Sequence, residues 1–141
     1  MGKLFWKDEY RVSVDTLDKQ HKHIFEIINK LEGRTGSLGD MKLVYETLTE
    51  MVNYSKEHFG EEEKLMSKYD YPGLESQKKQ HEYFINTTAE LTISLKERAH
   101  KTADEIAEFL GLWWSNHILK MDMKYKPFFQ AKIASVSEYN I

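Results

Sequence analysis

The chain has 141 residues and no cysteine. The absence of cysteine excludes disulfides, iron–sulfur clusters, zinc sites built on thiolates and a thiol nucleophile. The chain also has no excess of basic charge. It contains 20 lysines and arginines and 23 aspartates and glutamates, which gives a net charge of −3. Since nucleic-acid-binding proteins carry a basic face, we expect no nucleic-acid partner.

Long apolar runs are absent as well. The longest extends from Phe109 to Trp114 and is far shorter than the ~20 residues of a membrane span, so no membrane association is expected. The first residues lack the apolar segment of a signal peptide and the hydroxyl residue of a myristoylation site. These absences predict a cytoplasmic protein. The length and the 40% hydrophobic content predict a single domain, residues 1–141, with its own core.

Helix-breaking residues are few. Proline occurs only at Pro72 and Pro127, and three of the seven glycines cluster at Gly33, Gly36 and Gly39. The stretches between these breakers are rich in Leu, Lys, Glu and Met, which favour helix. The sequence therefore predicts an all-α protein with four helices, near residues 18–35, 40–69, 73–98 and 103–121.

The boundaries of these helices carry recognisable signals. Asp18 and Asp40 are candidate N-caps, and Tyr71-Pro72-Gly73 is a candidate turn. We assign residues 1–16 to an N-terminal arm that Trp6 anchors. Residues 17–122 form the predicted bundle. The C-terminal tail, residues 123–141, is expected to hold a short helix that Pro127 interrupts.

Apolar residues recur in each predicted helix at alternating steps of three and four. The first such seam contains Leu17, Ile24, Ile28 and Leu31, and the fourth contains Ile106, Leu110 and Trp113. This spacing marks one face of a helix that packs against its neighbours. Four such helices with short connections predict an up-down-up-down antiparallel four-helix bundle.

Polar residues occupy several positions of these seams. They are His21, His58, Glu62, Gln77, His81 and His117. A single seam histidine is usually a hydrogen-bonded core residue, and a single seam glutamate usually lies at a boundary. The combination differs, because several buried imidazoles and a buried carboxylate are costly unless a cation pairs with them. Imidazole and carboxylate without thiolate suit iron, manganese or zinc, so the sequence predicts a metal site.

The other two histidines provide a comparison. His23 is two positions from His21 and therefore points away from the seam, and His100 lies beyond the third helix. We expect both at the surface. In the run from Glu61 to Lys64, only Glu62 falls on the seam, and the remainder is expected to be a solvated face.

Five segments together resemble the hemerythrin family, and within it the single-domain bacterial form. They are Asp18-Lys19-Gln20-His21, His58-Phe59-Gly60-Glu61-Glu62-Glu63, His81-Glu82-Tyr83-Phe84, Trp113-Trp114-Ser115-Asn116-His117 and Asp122. The resemblance extends from Trp6 to about Pro127. It implies a non-haem di-iron centre with an oxo or hydroxo bridge inside the bundle. It also implies reversible dioxygen binding at the iron that has fewer protein ligands.

The resemblance further implies roles for individual residues. One iron would be held by His21 and His58. The other would be held by His81, His117 and a third ligand. Glu62 and Asp122 would bridge the two irons, and Phe59, Trp113 and Ile118 match the apolar wall of the oxygen pocket. Plain core packing explains these last three side chains equally well.

Two positions need separate comment. Asp122 follows His117 by five positions, which on a regular α-helix turns it about 140° away. Both can reach one centre only if the helix contains a π-bulge or ends there.

At Gln77 the family usually has histidine. A glutamine amide is a poorer metal donor than imidazole, or it could hold a water instead, so the resemblance implies a weakened or opened iron.

Three functions remain open at this point. The favoured one is a di-iron protein that binds dioxygen for carriage, storage or sensing. The second is an enzyme that uses peroxide or nitric oxide, or acts as an oxidase, through a site opened at Gln77. The third is a metal-poor structural or regulatory bundle. A ferritin-like site needs two Glu-x-x-His motifs, and the chain has one, from Glu97 to His100. We favour a binding protein over an enzyme, and the sequence leaves the oligomeric state open.

Overall fold

The fold is known from a computed structural model that describes residues 4–31, 38–97 and 103–139. Within these ranges the chain is helical and contains no strand. A 3-10 turn at Asp8–Tyr10 precedes helices α1 (Asp15–Asn29), α2 (Leu38–Lys68), α3 (Leu74–Glu97) and α4 (Ala103–His117), a π-helical segment (Ile118–Asp122) and helix α5 (Met123–Tyr139). The predicted all-α four-helix bundle is confirmed. None of the described helices is long and apolar enough to cross a membrane. His100 lies outside the described residues.

The bundle core follows the predicted seams. Fully buried side chains include Ile24 on α1, Leu48 on α2, Phe84 on α3 and Leu110 on α4. The assignment of Trp113 to the seam is wrong, because Trp113 is only partly buried, whereas Trp114 is fully buried. The spacing allows either tryptophan, because Leu110, Trp114 and His117 also follow steps of four and three.

Asp18 and Asp40 are not N-caps, so this prediction is wrong. Helix α1 begins at Asp15 after Val14, and Asp18 lies one turn inside it. The Asp18 carboxylate instead accepts a hydrogen bond of 2.8 Å from the backbone N–H of Val12, which fixes the arm. Helix α2 begins at Leu38, so Asp40 is its third residue. Acidic residues in a first turn still interact favourably with the positive end of the helix.

The N-terminal arm packs against α1. The Trp6 ring lies 5.7 Å from that of Phe25, and the Tyr10 ring lies 5.1 Å from the same phenylalanine. Leu4 and Asn29 exchange two hydrogen bonds, of 2.8 and 2.9 Å. The predicted anchoring by Trp6 is therefore confirmed.

The chain continues beyond α4 without a break. The prediction that Pro127 interrupts the terminal helix is wrong, because α5 runs through it. A proline inside a helix costs about 3 kcal/mol, but the helix here is held on both sides of it. Tyr125 and Phe129 are fully buried in a second core cluster with Val12, Leu17 and Met66. This packing brings α5 against the end of the bundle that is closest to the polar seam residues. The turn predicted at Tyr71-Pro72-Gly73 is present between α2 and α3.

Candidate metal centre

All seven predicted metal-site residues are buried in the bundle. Each has at most 3% of its surface exposed: His21 on α1, His58 and Glu62 on α2, Gln77 and His81 on α3, His117 on α4 and Asp122 in the π-helical segment. Every helix of the bundle therefore supplies at least one of them.

Glu62 lies between two pairs of histidines. Ligand atoms of His21, His58 and Glu62 lie within 4.8 Å of one another, and the same holds for Glu62, His81 and His117. One Glu62 oxygen is 3.0 Å from Nε2 of His58 and 3.5 Å from Nε2 of His81. Glu62 therefore belongs to both of the residue groups that could hold a metal ion.

Asp122 reaches both pairs from the other side. Its Oδ2 lies 3.3 Å from Nε2 of His21, and its Oδ1 lies 3.2 Å from Nε2 of His117. The π-helical segment makes this possible, because its wider turns bring the fifth residue after His117 back towards the same face. The predicted departure from α-helical geometry is confirmed.

Many polar atoms that face this cluster have no hydrogen-bond partner. Among the described residues they include Nε2 of His21, His58, His81 and His117, Oε1 of Glu62, Oε1 of Gln77 and Oδ2 of Asp122. Each unpaired buried polar atom costs about 1–3 kcal/mol, so such a group is unfavourable in an empty core. Imidazole nitrogens and carboxylate oxygens are suitable donors for first-row divalent metals. The chemistry of this donor set therefore fits bound metal.

Three of the histidines are oriented from behind by a neighbouring helix. Nδ1 of His58 donates to Gln20 at 2.7 Å, Nδ1 of His81 to Glu63 at 2.8 Å, and Nδ1 of His117 to Gln80 at 2.9 Å. A proton on Nδ1 leaves the lone pair on Nε2, which is the metal-binding tautomer. In every case the acceptor lies on the helix that precedes the histidine in the chain. For His21, no such acceptor lies within the described part of the chain.

These acceptors were missed in the sequence. Glu63 was expected on a solvated face, and that expectation is wrong because its carboxylate binds His81. The two glutamines had a detectable signal, since each directly precedes a seam histidine, as Gln20-His21 and Gln80-His81. A side chain beside the seam can turn inward at the helix–helix boundary and reach a histidine of the next helix.

Tyr125 was missed as well. Its hydroxyl donates a hydrogen bond of 2.6 Å to Oε2 of Glu62. Burial raises the pKa of Tyr125 well above its ordinary value, and the carboxylates of Asp122 and Glu62 add to this rise, so the phenol keeps its proton. The signal in the sequence was its position three residues after Asp122. Tyr125 fixes the orientation of the carboxylate that both histidine pairs share.

The pKa shifts of three members of the cluster favour metal binding. Burial raises the pKa of Asp122, but His117 and His21 lower it by more, so it lies well below its ordinary value. Burial also raises the pKa of Glu62, but nearby histidines, His58 foremost, lower it by more, so it too lies below its ordinary value. Burial lowers the pKa of His58 below its ordinary value, which favours the neutral imidazole. Metals need deprotonated ligands, and these three groups supply them.

Aromatic rings close the space beside the histidines. Phe59 is stacked between His81, at 3.9 Å, and Trp114, at 5.2 Å. Ile118 is fully buried in the same core. Trp113 lies parallel to the His117 ring at 4.5 Å but is partly exposed. Among the predicted wall residues, Phe59 and Ile118 are thus interior, and Trp114 joins them.

Gln77 lies inside the cluster, and His23 lies outside it. Nε2 of Gln77 donates a hydrogen bond of 3.1 Å to Oδ1 of Asp122. His23 lies outside the cluster, as predicted. Its side chain is 43% exposed and lies 3.4 Å from Glu26.

Comparison with known proteins gives a consistent result. Residues 12–129 match the family described as the Hemerythrin HHE cation binding domain. The chain is 34% identical to a bacteriohemerythrin of Stenotrophomonas maltophilia over 125 residues, 89% of this chain and 80% of the relative. It is 31% identical to the myohemerythrin of Riftia pachyptila, over 86% of this chain and 89% of the relative. A wild-type hemerythrin crystal structure superposes with a TM-score of 0.80 at 28% identity, covering 88% and 95% of the two chains.

Proposed function

The chain belongs to the hemerythrin family, and we propose that it holds two iron ions between its helices and binds dioxygen there. The observation that carries this proposal is the sharing of two carboxylates by two histidine pairs. Glu62 and Asp122 each approach at least one histidine of each pair. A single cation would use only half of this donor set.

The proposed ligands divide between the two positions. His21 and His58 would hold one ion, His81 and His117 would hold the other, and Glu62 and Asp122 would contribute to both positions. Two ferrous ions carry a charge of about +4, which two carboxylates and one hydroxide reduce to about +1, a tolerable charge for a dry core. When bound, each ferrous ion can supply one electron to dioxygen, which the side chains cannot do.

The surrounding residues prepare and protect this site. The hydrogen bonds of Gln20, Glu63 and Gln80 hold three imidazoles with Nε2 directed inward. The phenol of Tyr125 holds Glu62. Phe59, Trp114 and Ile118 exclude water from the ligand pocket, and Trp113 supports His117 from the side. Keeping water and protons out favours release of unchanged dioxygen over irreversible oxidation of the metal.

The proposal is tested by metal analysis and a visible spectrum of the same sample. We expect two irons per chain and an absorption that appears with dioxygen and disappears when dioxygen is removed. A sample reconstituted with iron under reducing conditions that holds no metal, or one whose spectrum does not respond to dioxygen, would contradict the proposal. The first outcome would favour the metal-poor regulatory bundle.

Replacing Ile118 with alanine is expected to accelerate autoxidation several-fold. Ile118 is fully buried beside His117, and the smaller side chain leaves space for water next to the metal. The rate is measured from the decay of the oxygenated spectrum in air. Leu119→Ala is the matched control, because the adjacent Leu119 is 38% exposed and should leave the rate unchanged. Equal rates in both variants would place the pocket wall elsewhere.

An enzymatic function is the second candidate, and Gln77 is the observation that favours it. Where relatives are expected to have a third imidazole, this chain has an amide that hydrogen-bonds to Asp122. An iron with fewer protein ligands can admit peroxide or nitric oxide as substrate. Turnover of peroxide with a reducing dye, at a rate well above that of free iron, would support the enzyme over the carrier.

A further inference from the structure

Gln77 lies inside the cluster. It is on α3 one turn before His81, and only 1% of its surface is exposed. Its amide has two different ends, a nitrogen that can only donate hydrogen bonds and an oxygen that can accept them or bind a metal. The function of this residue therefore depends on which end faces which neighbour.

The neighbour of the amide nitrogen is Asp122. An ionised carboxylate only accepts hydrogen bonds, so the group at 3.1 Å from Oδ1 of Asp122 is the NH2 end. The same Oδ1 is the atom that lies 3.2 Å from Nε2 of His117. The amide nitrogen thus donates to the Asp122 oxygen that lies near the pair formed by His81 and His117. An amide nitrogen has no lone pair available for a metal.

The amide oxygen lacks a hydrogen-bond partner among the described residues. It is buried and accepts no hydrogen bond from the described residues. An unpaired buried acceptor of this kind is satisfied by a metal ion or by a ligand that brings a proton, such as water, and it tolerates a small uncharged molecule beside it. The hydrogen bond from the amide nitrogen to Asp122 favours the second arrangement, because it ties the amide to the carboxylate and not to the metal position. Its negative partial charge disfavours an anion in the same place.

We infer that Gln77 is a hydrogen-bonding residue and not a metal ligand. The metal position at His81 and His117 then has an open coordination site for a small uncharged ligand. Each position then has two imidazoles and a share of the two carboxylates. The centre then has a second coordination site for exogenous ligands, in addition to the one at the metal position of His21 and His58. This inference rests on the proposed di-iron function and adds the number and kind of ligands that the centre accepts.

Nitric oxide is a suitable probe because it is small, uncharged and binds ferrous iron. We expect the anaerobic ferrous protein to bind two nitric oxide molecules per pair of irons, measured by spectroscopic titration with iron determined on the same sample. Gln77→His supplies a third imidazole at the second position and should reduce the number to one. Lys78→His is the matched control: it adds the same side chain at the next, exposed position and should leave two.

Gln77→Leu tests whether the amide oxygen holds a metal. Leucine has a similar volume and no donor atom, so this variant should retain both irons against a chelator nearly as well as the parent. Loss of one iron from Gln77→Leu would show that the amide oxygen is a ligand and would overturn the inference. Two irons with a single nitric oxide in the parent protein would also overturn it and leave the di-iron proposal intact. A parent protein without two irons would overturn both.

Discussion

Glu62→Ala is expected to remove most of the metal from the protein and to lower its melting temperature by roughly 10 °C. Glu62 is the carboxylate that both histidine pairs share, and it is fully buried. Its loss also leaves the hydroxyl of Tyr125 without its acceptor. Breaking a buried charged network by removing one member costs about 3–5 kcal/mol, and bound metal adds its own linked stabilisation.

The measurements are iron per chain after purification and the thermal unfolding midpoint with iron present. Glu61→Ala is the matched control, because Glu61 has the same side chain at the preceding, exposed position of α2. It should retain both irons and its melting temperature. If Glu62→Ala retained two irons per chain, the shared carboxylate would not be a ligand.

Removal of the metal from the unaltered protein is expected to lower its stability by about 4 kcal/mol at a free metal concentration about 1,000-fold above the Kd. The physical reason is that the metal-facing nitrogens and oxygens lose their common partner. Thermal unfolding of the chelated and the reconstituted protein, with circular dichroism as the signal, measures the difference.

The size of this difference should depend on pH. Burial lowers the pKa of His117, but Asp122 raises it by more, so in the metal-free protein it lies above its ordinary value of 6.5. A raised pKa in the folded state stabilises the metal-free protein below pH 6.5, and this contribution is lost as the pH rises through the folded value. Metal binding needs the neutral imidazole, so it strengthens as the pH rises.

The stability difference between the two forms should therefore be large at pH 8 and small near pH 5. His23→Gln is the control, because His23 is half-exposed and outside the cluster. It should leave the pH profile unchanged, whereas His117→Gln should flatten it. A difference that is constant between pH 5 and pH 8 would contradict the assignment of His117 as a ligand.

The sequence predicts the bundle and the buried polar cluster because both follow from the periodicity of single helices. Polar residues such as His58 and Glu62 stand out where the seam should be apolar, and burial makes them costly without a cation. The five-residue step from His117 to Asp122 likewise required a local change of helical geometry, and the π-helical segment provides it. Each of these signals is local along the chain.

The features that the sequence did not predict depend on contacts between helices. Glu63 looks solvated from its position on α2, and only the neighbouring α3 brings His81 within reach of it. Trp113 and Trp114 both fit the seam, and only the way α4 is rotated against the other helices distinguishes them. Pro127 is a helix breaker in isolation, but packing on both sides of it maintains α5.

The hydrogen bonds of the histidine rings also link neighbouring helices of the bundle. They connect α1 to α2, α2 to α3 and α3 to α4, each through one histidine. The fourth side, between α4 and α1, has no equivalent bond among the described residues, and His21 is positioned by packing and by Asp122. The ring orientation of His21 therefore depends on the side chains packed around it and on Asp122, whereas each of the other three rings is also anchored to the preceding helix.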